Sequence, residues 1–307
     1  MTMARSRRFL VNFWSGVVIL RRIFLIIVAV SIFSLAVKAM ADTLELIGPA
    51  QPVAQGEVVR ILLRGVTNGS EMKGSWQGQP VEFFKIDEEH YGSLVGIDLK
   101  LAPGTYPLEV AVNSPGNSTL TKSKSITVVD KDYGVQRLTL PANMVTLDSA
   151  TLKRVKKEGA RFSRLWYKQN PRRYWQGSFV RPVPGERTTP FGLRRILNGE
   201  PRSSHSGVDL RATEAEPVRA TNHGKVVLVG EFYFHGKAVV VDHGWGIYSM
   251  YFHLSQVDVA EGDFVGKNAI IGLAGSTGRA TGPHLHWGVR IGGARVDPFA
   301  LLRVTSG

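Results

Sequence analysis

One rhythm governs the chain after residue 43, and it excludes most folds. Short apolar-patterned runs alternate with clusters of Gly, Pro, Asn and Ser. The runs EVVRILLRG (57–65), PVEFFKI (80–86), YGSLVGIDL (91–99), TYPLEVAV (105–112) and KSITVVD (124–130) are parted by turn signals such as Thr67-Asn68-Gly69-Ser70 and Asn113-Ser114-Pro115-Gly116-Asn117. About seven short strands at this spacing predict a β-sandwich over 42–131. The rhythm returns from about Phe179. There KVVLVGEF (225–232), KAVVVDHG (237–244) and GIYSMYFHL (246–254) read as successive strands, and DFVGKNAIIGLAGSTG (263–278) reads as a hairpin. Residues 179–307 are therefore expected to form an antiparallel sheet domain whose loops carry any site. The expected fold class is mainly β.

Between these regions, residues 132–178 form a linker. Within it Asp148 to Lys168 breaks the pattern. Leu152, Val155, Gly159, Phe162 and Trp166 recur at three- and four-residue spacing, which is one stripe of a helix capped by Asp148 or Ser149. Its other faces carry Lys153, Arg154, Lys156, Lys157, Arg161, Arg164 and Lys168. A linker helix with a solvated basic face fits better than a membrane-surface helix, and Trp166 would pack on a neighbouring domain. Ala102-Pro103-Gly104-Thr105-Tyr106 has the form of a tyrosine-corner approach, so the sandwich is expected to be immunoglobulin-like. Ser70-Glu71-Met72-Lys73 fits S-x-x-K, but it lies in a turn region without S-D-N or K-T-G partners, so chance explains it.

The N-terminus is a targeting signal. Ile23 to Val37 reads IFLIIVAVSIFSLAV, and Ala39-Met40-Ala41 has the A-x-A form of a signal-peptidase site. The run is short of the about 20 residues a bilayer crossing takes. Residues 1–41 are read as a cleaved export signal, with an uncleaved inner-membrane anchor as the alternative, because Phe9–Leu20 is also apolar. The implied location is the periplasm or cell envelope. Six basic and no acidic side chains fall in 1–41, so +7 of the net +13 remains beyond them. That moderate charge suits an anionic wall or membrane surface, and no aromatic-basic motif accompanies it to suggest nucleic acid. Cysteine is absent, which excludes a thiol nucleophile, a thiolate metal site and any disulfide.

Histidine placement carries the chemistry. His284 and His286 in GPHLHWGV share one face of a strand, with Leu285 and Trp287 on the other. Alone, that pair fits a partly solvated strand face better than a metal site. Upstream, Ser204-His205-Ser206-Gly207-Val208-Asp209 adds His205 and Asp209, both able to ligate zinc. With His286 they make two imidazoles and one carboxylate, which leaves a coordination position for water or substrate. HExxH is absent, so a thermolysin-like helix site is not available. His223 and His243 are assigned to turns and His90 to the sandwich; for His235 a loop position is preferred to the rim of a cleft. Arg194, Arg195 and Arg202 precede the HSGVD segment; a clamp for a substrate carboxylate and a solvated loop remain equal readings.

HSGVD (205–209), MYFHLS (250–255) and GSTGRATGPHLHWGV (275–289) closely resemble, in order and spacing, the LytM/lysostaphin-type zinc peptidases, the M23 family. The likeness covers about 180–302, with PFGLR (190–194), GKVVLVG (224–230), VDHGWG (241–246) and VAEGDFVGKNAIIG (259–272) also family-like. The resemblance implies one zinc ion held by His205, Asp209 and His286. It implies His284 as general base and His253 as the residue that orients water or stabilises the oxyanion. It implies an endopeptidase acting on the peptide stems of bacterial peptidoglycan. The signal and the lack of an appended wall-binding repeat point to the D-alanyl–diaminopimelate crosslink. A non-catalytic regulator that activates amidases is the other class. Retention of all five site residues ranks it lower. Residues 42–178 could also occlude the cleft of an intact enzyme.

Overall fold

The computed structural model describes residues 44–88, 90–116, 119–139, 147–166, 170–201 and 203–306. The expected export signal, Lys168 and Arg202 lie outside the described residues. Among the described residues, no helix is long and apolar enough to cross a membrane.

The chain is mainly β. Two sheets form from its first third. One orders Glu45–Ile47, Val58–Arg64, His90–Gly96 and Phe84–Lys85; the other orders Val53–Ala54, Leu120–Val129, Gly104–Asn113, Glu71–Trp76 and Gln79–Val81. Alternation sets their faces. Leu108, Val110 and Val112 turn inward and are fully buried, as are Ile61 and Leu63 of the facing sheet, and one core of both sheets results. The Tyr106 hydroxyl donates to the Ala102 carbonyl at 2.8 Å. Ser70 of the S-x-x-K segment bonds Thr67 and Ser114, which fits a turn rather than a nucleophile.

A ten-stranded sheet fills the C-terminal part. Its main path runs Arg187–Thr189, Gly207–Arg211, His284–Ile291, Ile247–Val257, Gly236–Gly244, Gly224–Phe232 and Phe264–Val265. The central strands lack a clean alternation because both faces are covered. One face, with Tyr251, Leu285, Trp287 and Val289, joins the main core. The other packs Leu228, Phe232, Val240, Tyr248, Met250 and Phe252 beneath helix α1, Ser149–Trp166. Helix α2, Pro298–Thr305, closes the chain, with Asp297 as its N-cap.

Two expectations need correction. Residues 263–278 are not a hairpin: Phe264–Val265 pairs with Gly224–Phe232, whereas Ile270–Ala274 pairs with Pro217–Arg219 and Ile247–Val257. The apolar weight lies in the second arm, where Ile271 and Ala274 are fully buried, whereas the first arm gives the core Val265 and leaves Phe264 67% exposed. In α1 the predicted stripe is only half used. Asp148 caps it by accepting from the Thr151 amide at 2.8 Å. Phe162, Leu165 and Trp166 seat on the sheet, but Leu152 is 44% exposed, because the first half of the helix reaches past the packed face.

The N-terminal sheets and the C-terminal sheet are joined by specific contacts. Val58 and Leu99 enter the main core. Asp98 holds Arg295 through Oδ1 at 2.5 Å and Oδ2 at 3.0 Å. The Asp297 amide donates to the Gly56 carbonyl at 2.7 Å.

Candidate active site

Register brings the predicted residues together. Asp209 lies directly opposite His286 across the antiparallel pair Gly207–Arg211 and His284–Ile291, and Arg211 lies opposite His284. His205 stands in the loop just before the first strand. Its amide donates to the Leu193 carbonyl at 2.9 Å and its carbonyl accepts from Gly192 at 2.8 Å, so the PFGLR segment clasps it. His205 Nδ1 lies 2.9 Å from the Pro190 carbonyl, which assigns the proton to Nδ1 and leaves Nε2 as a lone pair.

Three acceptor atoms then converge. His205 Nε2 is 3.0 Å from Asp209 Oδ1 and 2.9 Å from His286 Nδ1, and His286 Nδ1 is 2.9 Å from the same carboxylate oxygen. All three side chains are largely buried. Burial pushes the His286 imidazole down to about 3, so it stands neutral. Burial would raise the Asp209 carboxyl, but the adjoining His205 and His286 ring nitrogens act the other way and outweigh it, so the carboxyl lies below the usual carboxylate range. Two neutral imidazoles and one carboxylate pointing at one another repel unless a cation or proton lies between them. This donor set could hold a metal ion. The other carboxylate oxygen, Asp209 Oδ2, lies 3.7 Å from Arg195 Nη2.

Two further histidines flank this triangle. His284 Nε2 is 3.9 Å from Asp209 Oδ1, and its Nδ1 is 2.8 Å from the Gly282 carbonyl. His253 has φ of 65°, a left-handed conformation inside the strand Ile247–Val257. The strand's pairing shifts register there, which turns the imidazole toward the site, 4.8 Å from His284 between ring centroids. His253 Nδ1 lies 2.8 Å from the Thr277 carbonyl. Burial, with the neighbouring His284 adding, pushes its pKa down to about 4. Both flanking rings therefore direct an Nε2 lone pair at the site when neutral.

These groups line a cavity of about 610 Å³ shared with Arg195, Phe234, His235, Phe252 and Arg279. His235, expected in a loop, lies in the turn before Gly236–Gly244 and is a half-buried part of this wall. Phe252 stacks on His286 at 5.3 Å and meets His235 at a tilt, 4.3 Å between centroids, and Phe162 of α1 meets both Phe252 and His235. Leu147 and Leu152 rim the same cavity. His243 is fully buried and bonds Ser249 Oγ at 2.7 Å and the His223 carbonyl at 2.8 Å, so it belongs to the core.

A solved M23 peptidase structure from Pseudomonas aeruginosa superposes with a TM-score of 0.63, at 31% identity, over 84% of this chain and 96% of that one. The chain belongs to peptidase family M23. The family's profile matches residues 203–298. The M23 region is also 40% identical, over 114 residues, to a DD-carboxypeptidase/endopeptidase of Neisseria meningitidis, covering 37% of this chain and 26% of that protein. It is 38% identical over 93 residues to the peptidoglycan DD-endopeptidase ShyB of Vibrio cholerae, covering 30% of this chain and 22% of that protein. The matched region thus spans about a quarter of the length of these curated relatives. Sequence reasoning left Arg195 undecided, preferred a loop over the cleft rim for His235, and passed over Arg279. Arg279 sits inside the quoted GSTGRATGPHLHWGV motif, and its position there was the available signal.

Proposed function

We propose that this M23 protein is a zinc-dependent endopeptidase that hydrolyses peptide crosslinks of peptidoglycan, with the D-alanyl–diaminopimelate bond as substrate. The observation that carries this reading is the convergence of His205 Nε2, Asp209 Oδ1 and His286 Nδ1 within 4.8 Å of one another, beside two more imidazoles. The names of the Neisseria and Vibrio relatives support the substrate class.

In this reading His205, Asp209 and His286 hold one zinc ion. Zinc, when bound, polarises a carbonyl and lowers the pKa of water to near 7. His284 takes the proton of the attacking water at Nε2, because its Nδ1–H is committed to Gly282. His253, neutral and donating from Nδ1 to Thr277, orients that water by accepting at Nε2. Buried Phe252 and Phe162 keep the wall behind these rings dry, which strengthens each polar interaction.

Residues 1–41 are proposed as the export signal to the cell envelope, 42–131 as an immunoglobulin-like sandwich, 132–178 as a linker and 179–307 as the peptidase domain. The Tyr106–Ala102 hydrogen bond supports the sandwich type. The test uses residues 42–307 with purified crosslinked muropeptides, followed by mass spectrometry. Loss of crosslinked dimer, abolished by a chelator, restored by zinc and absent in His284→Ala, is the expected result. An intact dimer under all conditions would sink the proposal.

A further inference from the structure

The described side chains lining the catalytic cavity include two arginines, four histidines and three serines, and none of them is Asp or Glu. Asp209, just behind the lining, is engaged by His205 and His286. With a dication in place the pocket would carry a surplus of positive charge against partly apolar walls of Phe234, Phe252, Leu147 and Leu152. A neutral substrate leaves that surplus uncompensated.

The two guanidiniums are positioned rather than loose. Arg195 Nε donates to Gln136 Oε1 at 3.2 Å, and its Nη2 lies 3.7 Å from Asp209 Oδ2. Gln136 belongs to the strand Val135–Leu138, which pairs in parallel with Arg194–Leu197, so the backbone ladder sets the reach of Arg195. Arg279 lies over the ring of Phe234 at 4.2 Å, and its amide donates to the Phe234 carbonyl at 3.1 Å. Stacking uses the face of a guanidinium and keeps its N–H edge in the plane, the edge that grips a carboxylate with two parallel bonds.

We infer that Arg195 and Arg279 form a carboxylate-binding subsite, and that the chain selects peptides whose residue on the amine side of the cut bond carries a free carboxylate. This rests on the peptidase reading of the same cavity and names its substrate class. A crosslink made only of neutral residues, such as a glycine bridge, lacks the group that the subsite reads. The D-alanyl–diaminopimelate bond has it, on the carbon bearing the amide nitrogen. Neither arginine is a catalytic residue here; both select and position.

The subsite is tested by calorimetric titration of the chelator-treated full chain with an N-acyl-D-alanyl-D-alanine, as free acid and as C-terminal amide. The acid should bind at least about tenfold more tightly than the amide. Arg279→Gln, an exposed position, should bring the two within twofold. Arg195→Gln should do the same, read beside its zinc content because it also removes a partner of Asp209. Equal binding of acid and amide by the wild type, no binding of either, or an acid preference that survives both substitutions would overturn the inference. Hydrolysis of crosslinked muropeptides after zinc is restored reports on the peptidase reading separately. An arginine-dependent acid preference without hydrolysis keeps the subsite and discards the peptidase.

Discussion

Gly207 approaches His286 so closely that a Cβ on it would lie 2.6 Å from the imidazole Nε2 and 2.6 Å from the Trp287 carbonyl. The glycine of HSGVD is therefore a packing requirement of His286, a proposed metal ligand. Gly207→Ala must displace the ring or the backbone of the neighbouring strand. Zinc affinity should fall at least about tenfold, the scale seen when groups that orient a ligand are altered. Competition with a chromophoric chelator measures it, and an affinity within twofold of wild type would contradict the steric coupling.

His253 holds a left-handed φ of 65° that a β-branched residue tolerates poorly. His253→Gly and His253→Val should both lose about 100-fold or more in turnover of muropeptides. They should separate in stability. The Gly variant should be more stable than Val by about 1–2 kcal/mol in urea unfolding, although Val buries more apolar surface. Equal stability would mean that the neighbouring strands do not enforce this backbone.

His243 offers a pH signature remote from the metal group. Burial pushes its pKa down to about 4, and the His223 carbonyl opposes this only in part. In the unfolded chain the ring titrates near 6.5. Between these values the unfolded state binds the extra proton, so stability is full above about 6.5 and is lost as pH falls through 4. One such group accounts for up to about 3 kcal/mol. The stability gap between metal-free wild type and His243→Gln should therefore narrow by that order from pH 7 to pH 4. A gap that stays constant in urea unfolding would show that the ring is not held neutral.

Asp98 and Arg295 tie the N-terminal sheets to the C-terminal one, each about a quarter exposed. Partial exposure discounts the bridge, so Asp98→Ala should cost about 1–2 kcal/mol. A double-mutant cycle with Arg295→Ala should return a coupling of similar size. Coupling below about 0.3 kcal/mol would mean that apolar contacts such as Leu99 alone hold the junction.

Much of the fold and site was legible because it is local. Alternation in TYPLEVAV placed Leu108, Val110 and Val112 inside, and two-residue spacing put His284 and His286 on one face. The failures come from long-range packing. The partner of Ile270–Ala274 depends on which arm a distant core admits, and no local period encodes that. Leu152 belongs to a helical stripe, yet the sheet beneath α1 ends before reaching it. His235 and His243 sit in turn-like tripeptides, and only tertiary packing buries the second and sets the first in the cavity wall.

Helix α1 has a geometric consequence for whatever enters the cleft. Phe162 closes over Phe252 and His235 on the histidine-bearing face, while Leu147 and Leu152 stand at the rim. A peptide lying along that face meets the helix as a bulkhead. An extended chain advances about 3.3 Å per residue, so each residue beyond the bulkhead must rise out of the groove or be missing. On the side of α1 the cleft is a socket with a back wall rather than an open track.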